Sequence, residues 1–245
     1  MKLDDVKKLQ QKKYRAQLGF YLVEGEHLIL ELQKAMQGQP VAKQVTLYVT
    51  EAFTQKFDHI NTDFNLSIVN QKQMAQISDT KTPQGAIACV PLPTKNDQIT
   101  TVSSQRCIYL HEVQDPGNLG TIMRSLAWFG DFQLMLSPNS VDPFNPKVVR
   151  ASMGAIFHLP MVLDVSLRQL AERFERFAYL DLQGTNVKST QFGDYDCYLF
   201  GNEARGVPTE ALSTLNADAF TIAGNGSLES LNLASAVSMC AYQLS

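Results

Sequence analysis

Short apolar runs rich in β-branched and aromatic residues recur along this sequence, alternating with stretches whose apolar residues return at helical spacing. Such alternation builds α/β layers, because a sheet buries its faces under helices that connect its strands. The spacing predicts strands over 20–23, 45–49, 66–69 and 86–90, and a helix over 26–36 in which Leu28, Ile29, Leu32, Ala35 and Met36 form one stripe. A second series follows, with strands over 107–113, 132–136, 177–182, 197–201 and 219–223 and helices over 119–129, 167–174 and 231–243. Short strands between amphipathic helices imply a mainly parallel sheet with helices on both faces. In such sheets ligands sit beyond the carboxyl ends of the strands, so the loops there are the places to look for chemistry.

A polar, proline-containing tract over 91–105 separates the two series. It places a linker at 96–105, between a small α/β domain of residues 1–95 and a larger one of residues 106–245. Charge divides at the same place. The chain carries −3 overall, yet residues 1–95 hold 12 Lys/Arg against 9 Asp/Glu and the remainder 9 against 15. A basic module therefore precedes an acidic one. Lys2, Lys7, Lys8, Lys12, Lys13 and Arg15 crowd its start. Lys12, Lys13 and Arg15 are candidates for contact with RNA phosphates, although a solvated helix face explains the cluster almost as well. Cys89, Cys107, Cys197 and Cys240 lie far apart with no Cys-x-x-Cys pair, which argues against a zinc site or a disulfide framework and for buried free thiols. No apolar run approaches the roughly 18 residues of a membrane span. The opening Met-Lys-Leu-Asp-Asp lacks the core of a secretory signal, so a cytoplasmic location is expected.

Three polar loops follow predicted strands of the second series. In His111-Glu-Val-Gln-Asp-Pro-Gly-Asn-Leu-Gly120, Pro116, Gly117 and Gly120 suit a tight turn with Asn118 at its mouth. In the helix beyond, Leu119, Ile122, Met123 and Leu126 form the apolar stripe, and Arg124 projects roughly opposite. Taken alone, Asn118 reads as a helix cap and Arg124 as a surface arginine. In Leu199-Phe-Gly-Asn-Glu-Ala-Arg-Gly-Val-Pro208, Gly201 lets backbone approach a ligand and Glu203 offers a carboxylate, unless the segment is a plain turn. The third loop, Gly224-Asn-Gly-Ser-Leu-Glu-Ser-Leu-Asn232, opens the last helix with Ser230 and Asn232 as capping or ligand-binding groups.

Together, and in this order, the loops resemble one family pattern. Asp115-Pro-x-Asn118-x-Gly120-x-Ile122-x-Arg124, then Gly201-x-Glu203-x-x-Gly206, then Ile222 followed by Glu229-Ser-Leu-Asn232, are similar to the three signature motifs of SpoU/TrmH RNA ribose 2′-O-methyltransferases. Arg150-Ala-Ser-Met-Gly-Ala155 also resembles the family, and residues 1–95 resemble the α/β/α RNA-binding domain that precedes the catalytic domain in its two-domain members. The resemblance implies a C-terminal trefoil knot, a homodimer, and S-adenosylmethionine held against Gly201, Ile222 and Leu231. It also implies a catalytic set of Asn118, Arg124, Glu203, Ser230 and Asn232, with the last three expected to orient Arg124 and the ribose. Where the family has Pro-Met after the isoleucine, this chain has Ala223-Gly224, a departure that bears on the local backbone and on cofactor affinity.

The implied substrate is structured RNA, with ribosomal RNA first and transfer RNA as the alternative. A second alternative is a non-catalytic RNA-binding or ribosome-assembly protein on the same scaffold, against which the presence of all five site residues argues. A nicotinamide-dependent dehydrogenase is disfavoured because Gly117-Asn-Leu-Gly120 is no Gly-x-Gly-x-x-Gly.

Overall fold

The computed structural model describes residues 1–56, 63–93 and 105–245. The described residues form two compact units: those within 1–93 together with Asp142–His158, and 105–141 together with Leu159–Ser245. Residues 96–104 of the expected linker lie outside the described residues. In chain order the helices are α1 (Leu3–Lys8), α2 (Lys12–Leu18), α3 (Glu26–Met36), α4 (Glu51–Lys56), α5 (Gln71–Ile77), α6 (Pro116–Phe129), α7 (Pro146–Ala151), α8 (Leu167–Arg173), α9 (Thr209–Leu212) and α10 (Leu233–Leu244).

In the first unit β1 (Phe20–Glu24), β2 (Thr46–Val49), β3 (Asn65–Ile68) and β4 (Ala86–Pro91) form a sheet of order β1-β4-β2-β3. Because β4 is antiparallel to β1 and β2 while β2 is parallel to β3, the carboxyl ends of β1, β2 and β3 share one edge with the start of β4. Leu22, Tyr48, Ile87 and Cys89 pack with Val6, Leu9, Met74 and Ile77 on one side. The alternate residues Tyr21, Val23, Leu47 and Ala88 are buried as well, so both faces of this sheet are covered. The segment Asp142–His158 joins this unit through Phe144, whose ring centroid lies 4.9 Å from that of Tyr21, and through an ion pair of Asp142.

That ion pair corrects the expectation for Arg15. Its side chain is 2% exposed; Nε donates to Asp142 Oδ2 at 2.9 Å, and Nη1 donates to the carbonyls of Leu9 and Gln10 at 2.8 and 3.0 Å. A guanidinium buried and engaged in this way is not presented to a phosphate, and it holds the α1–α2 turn against Asp142. Lys12 and Lys13, in contrast, are exposed.

In the second unit β5 (Arg106–Leu110), β6 (Phe132–Leu136), β7 (Met161–Val162), β8 (Phe177–Asn186), β9 (Cys197–Phe200) and β10 (Ala217–Thr221) form a sheet of order β10-β8-β9-β5-β6-β7. Every pairing is parallel. Cys107, Tyr109, Met135, Phe177, Cys197 and Leu199 pack against Val165, Leu170 and Leu212, and the buried Tyr109 hydroxyl donates to the Val165 carbonyl at 2.9 Å. All four cysteines are buried and free. The chain steps outward from β5 to β6 and β7, then returns to the other side of β5 through β8 and β9. The crevice between the carboxyl ends of β5 and β9 is therefore the topological switch point, where such sheets bind ligands.

Three local differences from the sequence expectation have physical causes. Helix α6 begins at Pro116 rather than at residue 119, because Asp115 caps it by accepting from Asn118 N at 2.7 Å and Pro116 fits the first helical position. The expected turn is thus the first turn of a helix. Helix α10 begins after Asn232, whose side chain accepts from Ser235 N at 3.2 Å, rather than at 231. Strand β8 runs past residue 182 to Asn186, through polar residues that carried no apolar signal, because Thr185 and Asn186 pair with Phe220 and Thr221 beyond a register shift.

Candidate active site

The three loops singled out in the sequence meet at the switch point of the second unit. The backbone beyond β5 turns at Glu112, whose φ of 51° is left-handed and uncommon for a residue with a side chain. Four interactions hold it there. Glu112 N donates to Ser137 Oγ at 2.6 Å, its carbonyl accepts from Asn202 Nδ2 at 2.6 Å and from Gln114 Nε2 at 3.0 Å, and its carboxylate pairs with Arg205. Asn202 is 7% exposed and ties the second loop to the first; its Oδ1 accepts from Ala204 N and Arg205 N, both at 3.0 Å. Its backbone exchanges two 2.9 Å hydrogen bonds with Gly206.

This tight loop explains Gly201 differently from the sequence expectation. A Cβ there would stand 2.2 Å from the Gly206 carbonyl carbon and 2.5 Å from Val207 N. The close approach that Gly201 permits is that of its own loop, folded back over it.

Clamped in this way, Glu203 turns its carboxylate toward the first loop. It accepts from Gln114 N and Asp115 N, each at 3.1 Å, and from Asn118 Nδ2 at 3.3 Å. Asn118 Oδ1 in turn accepts from Asn232 Nδ2 at 2.9 Å, and Asn232 Oδ1 accepts from Ser235 N. A carboxylate is acceptor-only and a backbone N–H donor-only, so the two ends of this chain fix the orientation of both amides between them. Asn118 keeps one N–H and one oxygen lone pair free of these contacts, a donor–acceptor pair suited to an alcohol.

Arg124 is exposed on α6 and makes no ion pair among the described residues. It lies six residues beyond Asn118, which is about 9 Å along a helix axis. The expectation that Glu203 and Asn232 orient Arg124 is corrected by the geometry: both hold Asn118, because the capped first turn of α6 faces them. Ser230 is exposed, and its hydroxyl makes no hydrogen bond to Asn118 or Arg124. Ile222 is half-buried directly after β10, while Leu228 and Leu231 are 81% and 45% exposed before α10.

Sequence reasoning missed Asn202, Glu112 and Gln114. Glu112 had no local signal, since a positive φ at a glutamate is set by tertiary contacts. Asn202 had one: an asparagine between a glycine and a carboxylate is a common turn former that binds its own backbone two and three residues on. His111, beside Glu112, is half-buried with Nδ1 unpaired. Burial pushes its imidazole below the ordinary value, with Glu112 opposing the shift and Arg205 adding to it.

Comparisons with known proteins place the chain in a family. A family model described as the SpoU rRNA Methylase family matches residues 105–242, and one described as an MRM3-like substrate binding domain matches residues 2–88. The chain is 27% identical over 247 residues to 23S rRNA (guanosine(2553)-2′-O)-methyltransferase RlmP of Bacillus subtilis, covering 99% of this chain and 95% of that one. Among solved structures, a protein of the TrmH family from Porphyromonas gingivalis superposes with a TM-score of 0.82 at 28% identity, covering 99% of this chain and 96% of that one. The SpoU methyltransferase AviRb from Streptomyces viridochromogenes, solved in complex with AdoMet, shares the fold with a TM-score of 0.83 at 22% identity, covering 99% and 96%. With the three ordered loops gathered at one switch point and a family model matched over more than half its length, the chain belongs to the SpoU rRNA methylase family.

Proposed function

We propose that this protein transfers the methyl group of S-adenosylmethionine to a ribose 2′-hydroxyl of ribosomal RNA. The observation that carries the reading is the hydrogen-bonded chain from Glu203 through Asn118 to Asn232, which presents an oriented amide at the crevice between β5 and β9. Residues 1–95 act as the substrate-binding domain and residues 106–245 as the methyltransferase domain, except that Asp142–His158 belongs to the first compact unit.

The residues present fit the cofactor. Ile222 is half-buried directly after β10, Leu228 and Leu231 in the segment that follows are apolar side chains left exposed, and the second loop closes over Gly201. Apolar walls with a few convergent polar groups are what a nucleoside-bearing ligand needs. When bound, S-adenosylmethionine supplies an electrophilic methyl group. The chain's own task is to place the 2′-oxygen in line with that methyl and to ease the loss of its proton. Asn118 uses its free N–H and lone pair to hold the ribose oxygens. Arg124 supplies a fixed positive charge beside the ribose or an adjacent phosphate, which lowers the hydroxyl pKa. It is not the base, because a guanidinium stays protonated at a pKa above about 12. The proton passes to an RNA phosphate or to water. Ser230 lines the ribose side of the site.

The reading extends to assembly and place. Trp128, Met239 and Tyr242 are 85%, 49% and 72% exposed on α6 and α10, an apolar surface suited to a second copy, and the protein acts as a homodimer. The C-terminal segment carries the family's trefoil knot. No helix among the described residues is long and apolar enough to cross a membrane. The protein acts in the cytoplasm, where Lys12 and Lys13 contact RNA phosphates.

The test is methyl transfer to deproteinised ribosomal RNA, followed by mapping of 2′-O-methylated positions. Asn118→Ala and Arg124→Ala abolish transfer while calorimetric binding of S-adenosylmethionine survives. Loss of cofactor binding in both variants, or an unchanged methylation map in cells lacking the gene, overturns the reading.

A further inference from the structure

The first unit has a crevice of its own. Where the carboxyl ends of β1, β2 and β3 meet the start of β4, a cavity of about 360 Å³ is lined by Glu26, Thr50, Phe53, Gln71, Gln84 and Gly85, among others. Each lining segment follows or precedes a strand at that edge: Glu26 after β1, Thr50 and Phe53 after β2, Gln71 after β3, and Gln84 and Gly85 before β4. Ligand sites in open α/β sheets form at such edges. The volume lies at the low end of the roughly 300–1,000 Å³ of small-molecule sites. It suits a single unstacked base and excludes a helix.

The floor is closely packed and fixed. Gly85 has a φ of 92°, and a Cβ there would stand 2.7 Å from Thr50 Oγ1 and 3.3 Å from Phe53 Cβ. Thr50 is itself fixed, accepting from Phe53 N at 3.3 Å while its N–H donates to the Gly85 carbonyl at 2.9 Å. On the rim, Gln84 is immobilised because its Oε1 accepts from Glu26 N at 3.0 Å, which leaves its Nε2 as a donor. Gln71 adds an amide, and Glu26 brings the only charge among the lining residues.

That charge decides the ligand. A lone carboxylate repels phosphate, so the cavity does not hold the RNA backbone. Within RNA, whose bases are uncharged at neutral pH, it favours a group with two adjacent N–H donors, which a carboxylate binds bidentately. Among the four bases only guanine presents that edge, through N1–H and N2–H. Proteins that read RNA sequence take unstacked bases from loops and bind them along this edge.

We propose that this cavity binds an unpaired guanine of the RNA substrate, with Glu26 as the specificity-determining residue and Gln84 as a second contact. The proposal rests on the reading of the protein as an RNA methyltransferase, and its test has a part that does not need turnover. Guanosine 5′-monophosphate is titrated into the isotope-labelled full chain and followed by NMR, with the adenosine, cytidine and uridine monophosphates in parallel. The guanosine nucleotide moves the amide signals of Glu26, Gln84 and Gly85 at concentrations where the others leave them in place, and Glu26→Gln loses this preference. On ribosomal RNA, Glu26→Gln raises KM about tenfold, the scale of one lost charged hydrogen bond, with kcat and S-adenosylmethionine affinity unchanged. Equal responses to all four nucleotides, no response at these amides, or an unchanged KM overturns the cavity assignment and leaves methyl transfer standing. Selective guanosine binding in a chain that methylates no RNA supports the cavity and overturns the methyltransferase reading instead.

Discussion

Replacing Gly201 by alanine tests the site with a single methyl group. The added Cβ would lie 2.2 Å from the Gly206 carbonyl carbon, 2.3 Å from its oxygen and 2.5 Å from Val207 N, where ordinary contact begins at 3.4 Å. All three neighbours are backbone, so no side chain can swing away, and the loop must retreat by about 1 Å. Glu203 rides on that loop and moves off Asn118 with it. A misplacement of about 1 Å at a catalytic group costs on the order of 100-fold in rate. Overpacking of this kind costs about 1–3 kcal/mol of stability. In a chain of this length each kcal/mol lowers the thermal midpoint by about 2–4 °C. The assay is transfer of a tritiated methyl group from S-adenosylmethionine to ribosomal RNA, run beside a thermal melt. Gly193→Ala is the control, since nothing lies within 4 Å of its Cβ position. Parental activity and an unchanged midpoint in Gly201→Ala would refute the account of this loop.

Asn202→Ala removes one of the two donors to the Glu112 carbonyl and the acceptor of two backbone N–H groups, all in a part-buried place. It costs about 1–3 kcal/mol in a denaturation curve and lowers kcat more than it raises KM. Arg15→Ala strands Asp142 at 12% side-chain exposure and destabilises the first unit by about 3–5 kcal/mol, seen as a lower melting midpoint, whereas Lys12→Ala with Lys13→Ala leaves the melt alone. The double lysine variant instead weakens RNA binding and flattens its salt dependence by about one per lysine, measured by filter binding at several salt concentrations. His111 titrates below its unfolded value of 6.5, so its protonation is disfavoured by the fold, and stability falls as pH drops through 6.5 toward the folded value. His111→Gln removes that contribution. Its melting midpoint therefore drops less than the parent's between about pH 7.5 and pH 5.5; an equal drop would assign the acid sensitivity to other groups.

The centre of the second unit's sheet was legible because β5, β6 and β9 are buried on both faces and read as nearly unbroken apolar runs, such as Cys107 to Leu110. Asn118, Glu203 and Asn232 were legible as a set because each follows a strand, though their mutual contacts were not; those depend on which amide faces which, a question of three dimensions. The cap signals before α6 and α7 stood in the sequence as Asp115-Pro116 and Asn145-Pro146, and marked helix starts that the apolar spacing alone put too late or overlooked. Arg15 was misread because a lysine-rich neighbourhood hides an arginine whose partner lies 127 positions away. The end of β8 escaped because its residues face solvent and are held by backbone pairing alone.

The excursion of Asp142–His158 into the first unit bears on how this protein can be cut. The chain crosses between the units not once, near Pro93, but again after Val141 and after His158. A fragment begun at residue 105 would carry Phe144, Val148 and Val149, all buried in the full chain, without the unit that includes them. A fragment ended at residue 93 would keep Arg15 and lose Asp142. The two halves are therefore poor modules for truncation or exchange. A chimera that swaps the first unit between relatives must carry the 142–158 segment with it, as two spliced pieces rather than one.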